Sequence, residues 1–220
     1  MLDQEGFNRW TEKYDGYVQE SDEAGTYPFA GYRQVLAEIA GRVLAGPAHG
    51  KTFKAELAGY VTEPAPRVLD LGFGTATLTS YLYEQGCRIY GQDFSEKMLA
   101  VAQQKMPQAR LFLGDFAEGL DPAIRAEKYD AIIGTYAFHH LNDGQKAALI
   151  RELLPLLAEG GHLYIGDIAF RTRAELEKCR EEAGADWDDD EIYWVYEEMK
   201  ALFPELAFTP RSFCGGVLEL

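Results

Sequence analysis

"VLDLGFGTATL", Val68 to Leu78, decides the fold. An apolar run carrying one acid, Asp70, breaks at a turn with two glycines, Gly72 and Gly74, and helix-forming residues follow. Strand, glycine turn and helix in that order place a ligand on the turn. Outward from it the rhythm repeats. "RVLDLG", "CRIYGQD", "ARLFLGD", "YDAIIGT" and "GHLYIGDIAF" are short continuous apolar runs and read as strands. Most are separated by helical stretches: "TATLTSYLYEQG" closing at Gly86, "SEKMLAVAQQKM" opening on Ser95 with Pro107 beyond its end, and "DGQKAALIRELLPLLAEGG". Ser95 is a good N-cap because its hydroxyl can take an orphan N–H of the first turn. Continuous apolar strands alternating with helices mean a parallel sheet covered on both faces, an α/β fold.

The flanks differ from this core. Near the C-terminus, "ELAFTPRSF" and "GGVLEL" are separated by a short Cys-Gly-Gly break and read as a hairpin, which gives the sheet an antiparallel edge. The first 66 residues read as a helical cap and lead-in. Phe7, Trp10, Tyr14 and Tyr17 fall on one helical face, and Val35, Leu36, Ile39, Val43 and Leu44 form a stripe ending near Gly46-Pro47. "KTFKAELAGYV" suggests a further short helix before the "TEPAP" loop. A length of 220 residues suits one domain, with 1–66 as cap, 67–168 as ligand-binding core and 169–220 as C-terminal helices and hairpin.

Composition narrows the function. The net charge is −15, from 36 acids against 21 bases, with no basic stripe, so nucleic acid and anionic membranes are poor partners. No apolar run approaches the ~20 residues of a membrane span. The acidic start "MLDQEGFNRW" lacks a signal pattern, so a cytoplasmic protein is expected. Cys87, Cys179 and Cys214 are scattered, which indicates neither a disulfide framework nor a cysteine metal site. The acidic run in "EEAGADWDDDEIYWVYEEM" reads as a solvated face, because its carboxylates are consecutive rather than set at calcium-loop spacing.

In an open parallel sheet the ligand lies beyond the carboxyl ends of the strands. Three strands here deliver an acid to that rim, Asp70, Asp93 and Asp115, and the fourth is followed by Tyr136 to His140. A rim of carboxylates suits a cationic ligand with hydroxyls and opposes a polyphosphate. The dinucleotide fingerprint G-x-G-x-x-G also fails, since Thr77 stands where the third glycine belongs, and no phosphate loop is present. S-adenosylmethionine (SAM) meets the demands: an ammonium, a sulfonium, a ribose diol and an adenine, without phosphate.

The same stretches resemble the class I SAM-dependent methyltransferases. "VLDLGFGTATL" is similar to their first motif, "YGQDFSEKML" to the second, "LFLGDFAE" to the third, and "YDAIIGTYAFHHL" and "LLAEGGHLYIGD" to the fourth and fifth. "WTEKYDGYV" and "AFHHL" further resemble the small bacterial YrrT-type group of methyltransferases. The resemblance implies a Rossmann-like sheet and assigns roles. Asp70 would hold the methionine ammonium, and Gly72 and Gly74 would let the backbone approach the ligand. Asp93 would accept the ribose hydroxyls, at the ~20-residue distance from the glycine turn that this role requires. Asp115 would accept from the adenine amino group, with Phe94 and Phe116 packed on the ring. The family often has a glycine where this chain has Ala76. Alanine is compatible if φ is negative there, so Ala76 is expected in the first turn of the helix.

Methyl transfer to a small molecule, leaving S-adenosylhomocysteine, is the leading reading. A SAM- or S-adenosylhomocysteine-binding sensor without catalysis is the alternative, and an NAD-dependent oxidoreductase the third. Tyr14, Tyr136, His139 and His140 are the candidates for chemistry on the acceptor. For the histidine pair, a loop cap and a sheet-packing residue is the simpler reading than a general base. No metal site is expected, because adjacent histidines rarely face the same way and no i, i+4 ligand pair accompanies them. His49 and His162 stand alone and read as structural.

Overall fold

The computed structural model describes residues 15–46 and 65–220. Five strands run parallel in the order β3-β2-β1-β4-β5: β1 (Arg67–Leu71), β2 (Arg88–Asp93), β3 (Arg110–Leu113), β4 (Tyr129–Thr135) and β5 (Leu157–Phe170). A two-residue β6 (Trp194–Val195) pairs with the end of β5, off the main path. On the far side of β5 the chain returns as an antiparallel hairpin, with β7 (Ala207–Pro210) at the edge and β8 (Gly215–Glu219) against β5. The sheet is therefore the Rossmann-like one expected, mostly parallel with an antiparallel C-terminal hairpin. Its order reverses at β1, which has β2 on one side and β4 on the other. That switch point opens a crevice at the carboxyl ends of the strands.

The apolar runs are continuous because both faces are covered. Val68, Ile89 and Ile133 point into one buried cluster, while their neighbours Leu69, Tyr90 and Ile132 point into the other. Each fully buried side chain of this kind contributes about 1.5–3 kcal/mol. A helical segment over 15–24 (α1) leads into α2 (Tyr32–Ala45), whose Val35, Ile39 and Val43 join the first cluster. α3 (Thr77–Glu84) and α4 (Glu96–Lys105) connect β1, β2 and β3, and α5 (Pro122–Arg125) precedes β4. α6 (Asp143–Leu153) packs Ala147, Ile150 and Leu153 into the second cluster. α7 (Arg173–Ala183) and α8 (Tyr196–Leu202) flank β6. Ser95 caps α4 as expected, its side chain accepting from the Met98 N–H at 3.3 Å. Reciprocal capping boxes close the starts of α6 and α7, from Asn142–Gln145 and Thr172–Glu175.

The differences from the sequence reading are local. α6 stops at Leu153 and a single turn over Leu154–Leu156 follows, so β5 starts at Leu157 rather than at Gly161. Pro155 supplies the reason: without an N–H it cannot continue the helical ladder. α5 and β6 have no periodic signal because they span four and two residues. Tyr17, placed on an aromatic face by its spacing, is 43% exposed and touches Phe29 edge-on. Phe7, Trp10 and Tyr14, and the helix expected in "KTFKAELAGYV", lie outside the described residues. Among the described residues no helix is long and apolar enough to cross a membrane.

Candidate active site

A cavity of about 640 Å³ opens over the carboxyl ends of β1 to β4. Each strand hands it a short segment: Gly72 to Thr75 after β1, Asp93 and Phe94 after β2, Gly114 to Phe116 after β3, and Tyr136, Ala137 and His140 after β4. Tyr32 of α2 closes one side. Its hydroxyl bonds the Thr77 side chain, and the Thr75 hydroxyl donates to Asp15 of α1 at 3.1 Å. The N-terminal segment is thus tied onto the glycine turn.

The turn itself needs its glycines for two different reasons. Gly72 has φ +73°, and a β-carbon there would lie 2.5 Å from the Ala137 methyl. The missing β-carbon lets the turn pack on the segment after β4, and Gly72 also lines the cavity. Gly74 has φ +52° and would meet no protein atom within 4 Å, so this backbone is open to the cavity.

Ala76 corrects an expectation. It is not in the first helical turn with negative φ: it is the N-cap of α3, in the left-handed region at φ 60°, ψ 38°. The turn therefore demands the conformation that a glycine would supply without strain, and alanine holds it at a cost of about 1–2 kcal/mol. Its fully buried methyl group offsets part of that cost.

The three rim acids sit in different environments. Asp70 is 1% exposed and does not itself line the cavity, although Thr79, its hydrogen-bond partner, does. Its Oδ2 accepts from the Thr79 hydroxyl, while its Oδ1 has no hydrogen-bond partner. Burial, with Asp93 nearby adding like charge, pushes its carboxyl up to about 7. Asp93 faces the cavity with both oxygens anchored, Oδ2 by the Gly74 N–H at 2.9 Å and Oδ1 by the Ser95 N–H at 2.8 Å. Burial raises its pKa against those two bonds. Asp115 is exposed, and its Oδ1 takes the Ala117 N–H at 2.7 Å. Phe94 and Phe116 line the wall between them, with Phe116 backed by Phe138 at 5.4 Å between ring centres.

Beyond β4 the candidates separate. Tyr136 lines the cavity in a left-handed conformation at φ 51°, uncommon for a bulky residue, with its ring 4.9 Å from that of Tyr32. His140 lines the cavity, whereas His139 lies behind it with its Nδ1 2.6 Å from Asp167 Oδ1. Burial would lower the His139 pKa, but Asp167 and Glu191 outweigh it and the net shift is upward. His140 is pushed down to about 3 by burial and by His139, so its imidazole is neutral. A group so weakly basic can donate or accept a hydrogen bond but is a poor proton acceptor at neutral pH.

Two features escaped the sequence reading. Asp167 is fully buried at the end of β5 and accepts four donors, from the His139 ring and backbone, the Ile168 N–H and the Trp194 indole. Burial would raise its pKa; these partners bring it below the ordinary carboxylate value. Glu191, assigned with its neighbours to a solvated acidic face, is instead partly buried against both histidines. The adjacent histidines both reach one carboxylate: residues 138–140 form a 3₁₀ turn, in which successive side chains are about 120° apart rather than on opposite faces as in a strand. His162 is 46% exposed and pairs with Glu219 at 3.2 Å, and His49 lies outside the described residues.

Comparison with known proteins matches this arrangement. Residues 68–161 fit the model of a methyltransferase domain. An uncharacterized methyltransferase of Geobacillus kaustophilus strain HTA426 is 33% identical over 211 residues, covering 92% of this chain and 87% of that protein. One from Anoxybacillus flavithermus strain DSM 21510 / WK1 is 30% identical, covering 94% and 87%. Among solved structures, the magnesium protoporphyrin IX methyltransferase of Synechocystis PCC 6803 with bound SAM superposes with a TM-score of 0.63, at 20% identity, over 100% of this chain and 97% of that one. A TehB-like SAM-dependent methyltransferase from Corynebacterium glutamicum gives 0.54 at 17% identity, over 95% and 96%. The chain belongs to the methyltransferase family of these Bacillaceae proteins and has the fold of the SAM-dependent methyltransferases.

Proposed function

We propose that this chain binds SAM in the cavity over β1 to β4 and transfers its methyl group to a small-molecule acceptor. The observation that carries the reading is the pair of buried acids at the switch point. Asp70 keeps one carboxylate oxygen without a partner, close to a second carboxylate on Asp93. A buried, incompletely paired acid beside another acid is costly unless a cation joins it. The net charge of −15 and the lack of a basic stripe favour a small acceptor over nucleic acid.

Bound SAM supplies a methyl group on a sulfonium, an electrophile with a good leaving group. The chain's residues bind, orient and shield. Asp70, held by Thr79, would turn its free oxygen to the ammonium. Asp93 is fixed by two backbone N–H groups, so its remaining lone pairs would meet the ribose hydroxyls. Asp115 would read the adenine amino group with Phe94 and Phe116 against the ring, and the open backbone at Gly74 leaves room for close approach. Tyr32, with the contact between Asp15 and Thr75, would cover the turn and shield the bound cofactor from water. Tyr136 and His140 stand on the β4 side, where a nucleophile has to be positioned.

Calorimetric titration with SAM, S-adenosylhomocysteine and NADH tests the cofactor. One molecule of SAM or S-adenosylhomocysteine per chain is expected; tighter binding of NADH than of SAM would overturn the assignment. Labelled methyl transfer into a metabolite extract tests the activity. Tight cofactor binding with no labelled product would favour a sensor over an enzyme.

A further inference from the structure

We infer that His139, His140 and Glu191 form a binding site for a divalent first-row transition ion, zinc foremost, at the edge of the acceptor side of the cavity. One nitrogen from each histidine and one carboxylate oxygen lie within 4.8 Å of one another. His139 Nε2 is 3.5 Å and His140 Nδ1 3.9 Å from the same Glu191 Oε1. In a tetrahedral site with metal–ligand distances of ~2.0–2.2 Å, ligand atoms lie roughly 3.3–3.6 Å apart. His140, whose Nδ1 is the farther from Glu191, would have to move inward by about 1 Å to close the set.

The surroundings aim these atoms. Asp167 engages His139 Nδ1 at 2.6 Å, leaving Nε2 directed at Glu191. This is the carboxylate–histidine pairing that orients imidazole ligands of metals. The Tyr193 hydroxyl donates to Glu191 Oε2 at 2.9 Å, leaving Oε1 for the histidines. Two imidazoles and one carboxylate make a borderline donor set, suited to zinc, cobalt or nickel and poorly suited to magnesium or calcium. The side chains of Glu191 and His140 are 22% and 25% exposed, against 6% for His139, so an ion would enter from the Glu191 and His140 side. His140 also lines the cavity, so an ion held here would lie beside the space proposed for the acceptor. An ion there would acidify a thiol or hydroxyl bound to it. The inference does not depend on the cofactor reading, because metal binding is measured without SAM.

The rival occupant of the gap between His139 and Glu191 is a proton. Titration of chelator-treated protein with Zn²⁺ by calorimetry, and with Co²⁺ by its visible d–d absorption, separates the two. One ion per chain is expected, with a tetrahedral Co²⁺ spectrum. H140A and E191A should each weaken Zn²⁺ at least tenfold, and Y193F by about tenfold. H162A, a change at an exposed histidine outside the cluster, should leave the affinity unaltered. Circular dichroism of each variant establishes that it is folded. Absence of saturable Zn²⁺ or Co²⁺ binding would overturn the site, as would binding that survives both H140A and E191A.

Discussion

Two carboxylates lie at the carboxyl ends of parallel strands with almost no exposure, Asp70 on β1 at 1% and Asp167 on β5 at 0%. Their surroundings are opposite. Asp167 accepts four hydrogen bonds, one from a histidine ring, and its pKa is held below the usual carboxylate value. Asp70 accepts from Thr79 alone, keeps one oxygen unpartnered, and is pushed up to about 7. Burial is the same for both, so burial does not explain the difference; the supply of donors does. Asp167 belongs to a network the chain completes by itself. Asp70 belongs to one left open at Oδ1, which the proposed ammonium would complete.

The sharpest way to break this contrast is to neutralise each acid. In D167N the new amide NH₂ would point at N–H donors whichever way it turns. We expect a loss of about 3–5 kcal/mol in urea unfolding, the range for breaking a buried paired charge. In D70N the unliganded protein should unfold at wild-type denaturant or above, because a costly buried acid has gone. Equal losses in the two variants would show that Asp70 is as fully satisfied as Asp167.

The next effect belongs to the ligand. D70N should weaken SAM by roughly 100-fold, equivalent to about 3 kcal/mol for a buried charge-assisted contact. In the wild type, affinity should rise as pH increases through about 7, as Asp70 ionises and gains attraction for the ammonium. Calorimetry between pH 6 and 8 reads this slope. A flat profile in the wild type, or a slope that persists in D70N, would remove Asp70 from the ammonium site.

The same group sets a smaller stability effect. The folded pKa of Asp70 is raised to about 7, against ~3.9 in the unfolded chain. Its favourable contribution is complete below pH ~4 and is lost as pH climbs through about 7. Unliganded wild type should therefore lose roughly 1–3 kcal/mol more than D70N between pH 5 and 8. Asp167, shifted downward, contributes nothing to that window, since its stabilisation fades only in acid. The upward-shifted His139 weakens its pair with Asp167 as pH rises, but it does so equally in both proteins and cancels in the comparison.

Asp70 was legible in the sequence and Asp167 was not, for a physical reason. Asp70, Asp93 and Asp115 each end an apolar run, and a parallel sheet carries all such ends to one rim, so local pattern suffices. The role of Asp167 depends on His139, 28 residues earlier, and on Trp194, 27 residues later. Neither partner shares a periodic element with it. The turn over 138–140 that aligns the two histidines, and the burial of Glu191 within an acidic run, are likewise products of long-range packing. Gly72 and Gly74 were recognisable as a pair, but that one serves Ala137 and the other the cavity follows only from where the segment after β4 lies.

Ala76 carries the smallest and most local test. Helix propensity favours alanine there, whereas the observed φ of 60° favours glycine. The left-handed conformation costs alanine about 1–2 kcal/mol, and its buried methyl group returns roughly 0.8 kcal/mol that glycine would forfeit. Glycine also spends more backbone entropy on folding, by about 0.4–1 kcal/mol. These opposing contributions nearly cancel, so A76G should change unfolding free energy by less than about 1 kcal/mol in either direction. A negative φ would predict a plain loss of ~1 kcal/mol from helix propensity plus the methyl burial, approaching 2 kcal/mol in total. Chemical denaturation resolves that gap. A loss near 2 kcal/mol would return Ala76 to the helix and leave the turn with only two positions that require glycine.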